Sequence, residues 1–141
     1  MIHPPLQMSF MPRWPALLGF VLPLPLWAGE AVDVPSGQVV TLLEAVSNVP
    51  GNSGPALRFR FLAPAIARDG GSVDADTAGR DMDYLCSAFA LRHLPKDDPK
   101  PAEIIISLSD RDVPLGQDDP DATQFFSSYQ IEGGACEWEM F

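Results

Sequence analysis

Apolar and polar positions alternate with a period of two in the segment that ends at Phe61. "QVVTLLEAVSNV" (Gln38–Val49) is rich in β-branched and aliphatic residues, and "PGNSGP" then breaks the run. In the following "ALRFRFLAPAI", Leu57, Phe59 and Phe61 fall on one side and Arg58 and Arg60 on the other. This pattern predicts two strands joined by a loop, the second half-buried. The two arginines offer an anion site, but a solvated face or cross-strand pairing with Glu44 is the simpler expectation.

The period changes in "ARDGGSVDADTAGRDMDYLCSAFALRHLP". Ala78, Met82, Leu85, Cys86 and Phe89 recur at i, i+4, i+7, i+8 and i+11, which is one face of a helix. Asp74 and Asp76 suit its positive N-terminal end, Arg92 and His93 suit the opposite end, and Pro95 stops it. The preceding "LAPAIARDG" is apolar for a connection and is expected to pack beneath the helix, with groove lining as the alternative. "PKDDPKP" reads as a polar linker and "EIIISL" as a short central strand.

In "DDPDATQFFSSY", Asp119 fits an N-cap, Pro120 the first helical position and Asp121 the first turn. Ala122, Phe125, Phe126 and Tyr129 then follow at i, i+3, i+4 and i+7, so a short amphipathic helix is the preferred expectation and an extended strand the alternative. The tail "YQIEGGACEWEMF" predicts a hairpin turning at Gly133-Gly134, with Cys136, Trp138 and Met140 on one face and Glu137 and Glu139 on the other. The expected fold is α+β: an antiparallel sheet of about five strands, one main helix packed on one face and a short second helix. The order is β-β-α-β-(α)-β-β, without internal repeats.

Composition separates the N-terminus from the rest. "MIHPPLQMSFMPR" carries one Arg and no acid, and "WPALLGFVLPLPLWA" and "AGEA" follow it. A positive start, a short apolar centre and a small-residue exit form a signal-peptide pattern over residues 1–31, with cleavage expected after Ala28 or Ala31. Met11 is an alternative start. The apolar centre, interrupted by Pro23 and Pro25, falls short of the ~20 residues that span a bilayer. A single exported domain, periplasmic or secreted, is therefore expected over residues 32–141, without stable membrane insertion after cleavage.

Nine basic and nineteen acidic residues give a net charge of −10. Such a balance disfavours nucleic acid and anionic membrane surfaces. The domain is too small for the large nucleotide, flavin or thiamine folds and lacks a glycine-rich phosphate fingerprint, so no cofactor is expected. In an exported chain the lone pair Cys86 and Cys136 reads as one disulfide; a redox-active or metal-binding pair is disfavoured by the wide spacing and the lack of CxxC.

Two carboxylate chemistries remain candidates. Asp110, Asp112 and Asp121 fall at positions 1, 3 and 12 of a calcium loop, but Pro114 and Leu115 occupy positions 5 and 6, where the second should be glycine. The EF-hand template fails, leaving only a non-standard oxygen cage. Asp110 and Asp112, facing Glu137 and Glu139, are the candidate pair for acid–base catalysis. Nucleophilic catalysis lacks a G-x-S-x-G elbow, and His93 is the sole histidine after the leader.

"LAPAIARDGG", "ISLSDR", "DATQFF" and "GGACEWEMF" together resemble a family of small exported alphaproteobacterial proteins of unknown function, from Val34 onward. The resemblance implies export and a single domain, and carries no catalytic residue. The function expected first is a non-catalytic domain that binds a protein or a small ligand, with a groove near Pro64–Ile66 or Phe125–Tyr129. A small hydrolase-type enzyme using aspartates and a calcium-stabilised structural domain are the alternatives. No oligomeric state follows from the pattern.

Overall fold

The computed structural model describes residues 29–96 and 100–140, with a few isolated positions before Gly29. Most of the expected signal peptide, including the Ala28 cleavage position, lies outside the described residues. The fold is α+β. Six strands form one sheet in the order of the chain: β1 (Ala31–Val32), β2 (Val40–Pro50), β3 (Pro55–Leu62), β4 (Glu103–Ser109), β5 (Gln124–Glu132) and β6 (Ala135–Glu139). The helix α1 (Ala75–Tyr84) lies between β3 and β4, widens to π-type turns over Leu85–Phe89 and tightens over Ala90–His93.

Three expectations are corrected. The sheet has six strands, because Ala31 and Val32 pair with Thr41 and Val40 and add an edge. It is mixed, because β3 and β4 run parallel from Ala56↔Glu103 to Leu62↔Ser109. The helix explains this: parallel neighbours need a long crossover, and the helical segment between β3 and β4 carries the chain back to the starting end of the sheet. The expected short helix at Asp119 is a turn followed by strand β5. Asp119 accepts from the Asp121 N–H at 3.0 Å and the Ala122 N–H at 3.1 Å, which is turn chemistry, and β5 then pairs with β4 from Gln124↔Ser109 to Gln130↔Glu103. An isolated short helix is marginal in water, whereas the same residues complete the far side of an otherwise open central strand.

The main helix forms as its periodicity predicts. Ala78, Met82, Leu85, Cys86 and Phe89 are all buried, and the Asp74 carboxylate caps the Thr77 N–H at 2.8 Å. This hydrogen bond holds the Asp74 carboxyl below its ordinary pKa. The helix face packs on Leu57, Phe59 and Phe61 of β3, Ile104, Ile106 and Leu108 of β4, and Tyr129 of β5. Burying each large aliphatic or aromatic side chain contributes roughly 1.5–3 kcal/mol. Phe89 meets Phe59 and Phe61 edge-on, with centroids 6.0 and 5.6 Å away. His93 stacks on Phe89 and its Nδ1 lies 2.8 Å from the Phe89 carbonyl, which closes the helix end.

Two further ties fix the flanks. Cys86 and Cys136 form a disulfide, with Cα atoms 6.3 Å apart, that fastens β6 to the buried face of the helical segment. Asp81, wholly buried on α1, accepts from the Ser36 N–H at 3.0 Å, the Ser36 hydroxyl and the Gln38 amide, pinning the β1–β2 connection to the helix. The final hairpin turns through positive φ at Gly133 (59°) and Gly134 (77°), the two left-handed positions that such a tight turn requires.

Candidate functional site

The sheet face opposite the helix is organised by charge. Arg60, 6% exposed, pairs with Glu44 on β2, donates to the Val113 carbonyl and lies 3.7 Å from Asp112. The expected cross-strand pairing with Glu44 is thus present. Two register shifts in β2, with Asn48 at φ 58° in the second, irregular stretch, depart from a straight β2–β3 ladder. Beyond them the connecting turn lies over the wholly buried Glu103. The Glu103 carboxylate accepts from the Ser53 N–H at 3.1 Å and from the Ser128 hydroxyl. A Cβ at Gly51 would stand 2.4 Å from Glu103 Oε2, so this close approach requires glycine. Ser53 also donates to Glu139 at 3.1 Å, and Gln130 donates to the same Glu139 oxygen at 2.7 Å.

Among the described residues, the pairing of β6 with β5 runs from Glu132↔Ala135 to Ser128↔Glu139, and Gln124–Ser127 is paired on its β4 side alone. A cleft of about 1140 Å³ opens at this bare edge. On the helix side it is lined by Ala75, Asp76, Gly79, Arg80, Met82 and Asp83 of α1, together with Phe125, Ser127 and Trp138; on the other side lie Arg58, Ile105, Phe126, Val49 and Pro50. Strand alternation explains the division. Phe125 is paired with buried Leu108 and points toward the helix, whereas Phe126 is paired with Ser107 and points the opposite way.

Two aromatics of this cleft remain open to solvent: Phe126 is 44% exposed and Trp138 is 62% exposed. The Arg58 guanidinium lies 4.9 Å from the Phe126 centroid, and its Nε donates to Ser107 at 3.3 Å. Burial, reinforced by the neighbouring Arg60, pulls the Arg58 pKa below its ordinary value. On the helix side the Tyr129 hydroxyl donates to Asp83 at 2.6 Å, and burial first, then this hydrogen bond, pushes the phenol pKa up. The cleft therefore combines apolar walls with fixed polar groups, the usual composition of a binding site.

The acidic candidates lie elsewhere. Asp110, with its side chain 4% exposed, accepts from the Thr123 N–H at 2.9 Å and pairs with Arg111 at 3.3 Å. Asp110 and Asp121 line one shallow recess with Asp69, Arg68 and Arg111. Asp112 faces Arg60 instead. Glu137 is exposed and pairs in register with Gln130, while Glu139 pairs with Ser128, opposite Ile105 on β4. Asp110 follows the far end of β4, some five residues or ~16 Å along the strand from that level, so the two carboxylate pairs do not share a cleft. Among the described residues no three His, Cys, Asp or Glu side chains are grouped as a metal site.

Of the two grooves expected from the sequence, the one at Phe125–Tyr129 overlaps the large cleft at Phe125, Phe126 and Ser127, while Ser128 and Tyr129 are buried. Pro64–Ile66 forms a single tight turn with Ile66 buried, beside a smaller recess of about 570 Å³. The Glu103 network and the Arg58–Phe126 contact escape a sequence reading, because both depend on the fold of the β2–β3 connection and on which strand neighbours β4. Among the described residues no helix is long and apolar enough to cross a membrane. No curated protein and no solved structure matches the chain. Over residues 21–141 it matches a family of unknown function, DUF6497, and the chain belongs to that family.

Proposed function

We propose that this member of a family without an assigned activity is an exported, non-catalytic domain that binds a ligand in the cleft beside Gln124–Ser127. The observation that carries the reading is the pair Phe126 and Trp138, two exposed aromatics lining one cleft together with Met82, Ile105 and Arg58. Exposed aromatic and arginine side chains gathered around an apolar depression are the residue types that dominate recognition surfaces. Export is supported by the leader-like composition of the first residues and by the disulfide, which persists in oxidising compartments.

The hydrolase and calcium readings gain no comparable support. Asp110 pairs with Arg111 and Asp112 with Arg60, so each carboxylate's charge is already offset by a guanidinium and the two face different partners. The binding reading is tested by titrating a library of small organic fragments into isotopically labelled protein. Chemical-shift changes are expected to concentrate at Phe125, Phe126 and the Trp138 indole. Changes concentrated at the Asp110–Asp121 recess, or scattered evenly, overturn the reading.

A further inference from the structure

We infer that the ligand of this cleft is an extended peptide that adds a strand to β5; the inference rests on the cleft being the binding site. Among the described residues the ladder between β5 and β6 stops at Ser128↔Glu139, although β5 continues for four residues, Gln124–Ser127, held on one side by β4. Four strand residues span ~14 Å, room for a peptide segment continuing the line of β6. An added strand would satisfy the bare edge and project alternate side chains to opposite faces. The cleft has an apolar wall on each: Trp138 and Met82 on the helix side, Phe126 and Ile105 on the other.

A second, independent observation is Gly79. It stands inside α1, where glycine costs about 0.5–1 kcal/mol relative to alanine. A Cβ built there meets no atom of the described residues within 4 Å, so no packing among them requires glycine. The position lines the cleft, where any side chain would narrow the space between α1 and the β5 edge. The absence of a side chain at this point is what close approach of a second backbone demands.

Charge selects among peptides. The chain carries a net charge of −10, and Asp76 and Asp83 stand on the α1 wall of the cleft. The lining itself is balanced, with Arg58 and Arg80 against Asp76 and Asp83 and with Asp83 accepting from Tyr129, so the preference for a basic partner comes from the net charge of the chain. The occupant is therefore a peptide with apolar residues at alternate positions and at least one lysine or arginine, from a partner protein.

The test uses a phage-displayed library of random linear dodecapeptides panned against the full chain, with recovered sequences synthesised. Selected peptides are expected to alternate apolar residues and to carry a basic one. Backbone N-methylation at every second residue should weaken binding at least tenfold in one phase and little in the other, since only one set of amides faces β5. Gly79→Leu should weaken binding at least tenfold while the melting temperature holds or rises, and Trp138→Ala should weaken it without unfolding an exposed position. Amide exchange at Gln124–Ser127 should slow on binding. Peptides sensitive to Gly79→Leu but indifferent to N-methylation in both phases overturn strand addition and leave the binding cleft standing. Binders indifferent to Gly79→Leu and Trp138→Ala, or no binders at all, also overturn it. Failure of the cleft itself is read separately, from the fragment titration.

Discussion

The wholly buried carboxylate of Glu103 accepts the hydroxyl of Ser128, its diagonal neighbour on β5, and the Ser53 N–H at 3.1 Å. Three separate pieces of chain thus meet at one side chain on the first residue of the central strand. Removing the carboxylate leaves the buried Ser128 hydroxyl without its acceptor, at about 1–3 kcal/mol, whereas the Ser53 N–H belongs to an exposed turn residue that water can reach. Glu103→Ala is therefore expected to destabilise the protein by roughly 1–3 kcal/mol. The double variant with Ser128→Ala should cost less than the sum of the single changes by ~0.5–3 kcal/mol, as coupled neighbours do. Urea unfolding of the four proteins checks this, and additive losses would show that the two side chains do not interact.

The disulfide should matter most to the strand it fastens. Cys86 and Cys136 are 50 positions apart, and closing a loop of that length is worth ~4 kcal/mol in the chain-entropy account, often less in practice. Cys86→Ala with Cys136→Ala is expected to lower stability by about 2–4 kcal/mol. Hydrogen exchange should rise more at Ala135–Glu139 than at Glu103–Ser109, because among the described strands β6 pairs with β5 alone whereas β4 lies between β3 and β5. Equal acceleration across both strands would mean that the bond acts on the whole domain and not on β6.

Much of this arrangement is legible in the sequence because it is local. The alternation around Phe59, the stripe from Ala78 to Phe89 and the Gly133-Gly134 turn each follow from one segment's own periodicity or backbone needs, and each stands where expected. The segment from Asp119 to Tyr129 satisfies two templates, helical by its caps and spacing and extended by its β-prone Phe125, Phe126 and Tyr129. The choice is made by β4, which lies elsewhere in the chain and offers seven paired positions. Parallel pairing of β3 with β4 is hidden for the same reason, since it depends on where the helix returns the chain. The cleft is half legible: Phe125 and Phe126 mark it, but the open edge of β5 depends on where its pairing with β6 ends among the described residues, at Ser128↔Glu139.

Tyr129 gives the protein a specific alkaline weakness. Its phenol is buried and bonded to Asp83 at 2.6 Å, and burial raises its pKa in the folded state. An unfolded tyrosine titrates near ~10. Below that pH both states keep the proton and the phenol contributes no slope. Above it only the unfolded chain releases the proton, so stability falls as pH rises. Tyr129→Phe should cost about 1 kcal/mol at neutral pH and flatten this alkaline fall. Denaturant midpoints at neutral pH and above pH ~10 decide the matter; an unchanged slope in the variant would place the alkaline loss on other groups.

The sheet bears on where the proposed leader would be cleaved. The Gly29 N–H donates to the Leu42 carbonyl at 2.8 Å, and the Glu30 carbonyl accepts from the Leu42 N–H at 2.9 Å. Ala31 and Val32 then pair with Thr41 and Val40, and Val32 packs against the core. Cleavage after Ala31 would remove both Leu42 hydrogen bonds and one of the two β1 pairs, leaving more of the β2 edge bare and open to pairing with another chain. Cleavage after Ala28 keeps β1 intact. Intact-mass measurement of the protein recovered from the exported fraction is expected to give a chain beginning at Gly29. A chain beginning at Val32 would show that β1 is dispensable, and the shortened form should then show faster amide exchange along Val40–Leu42.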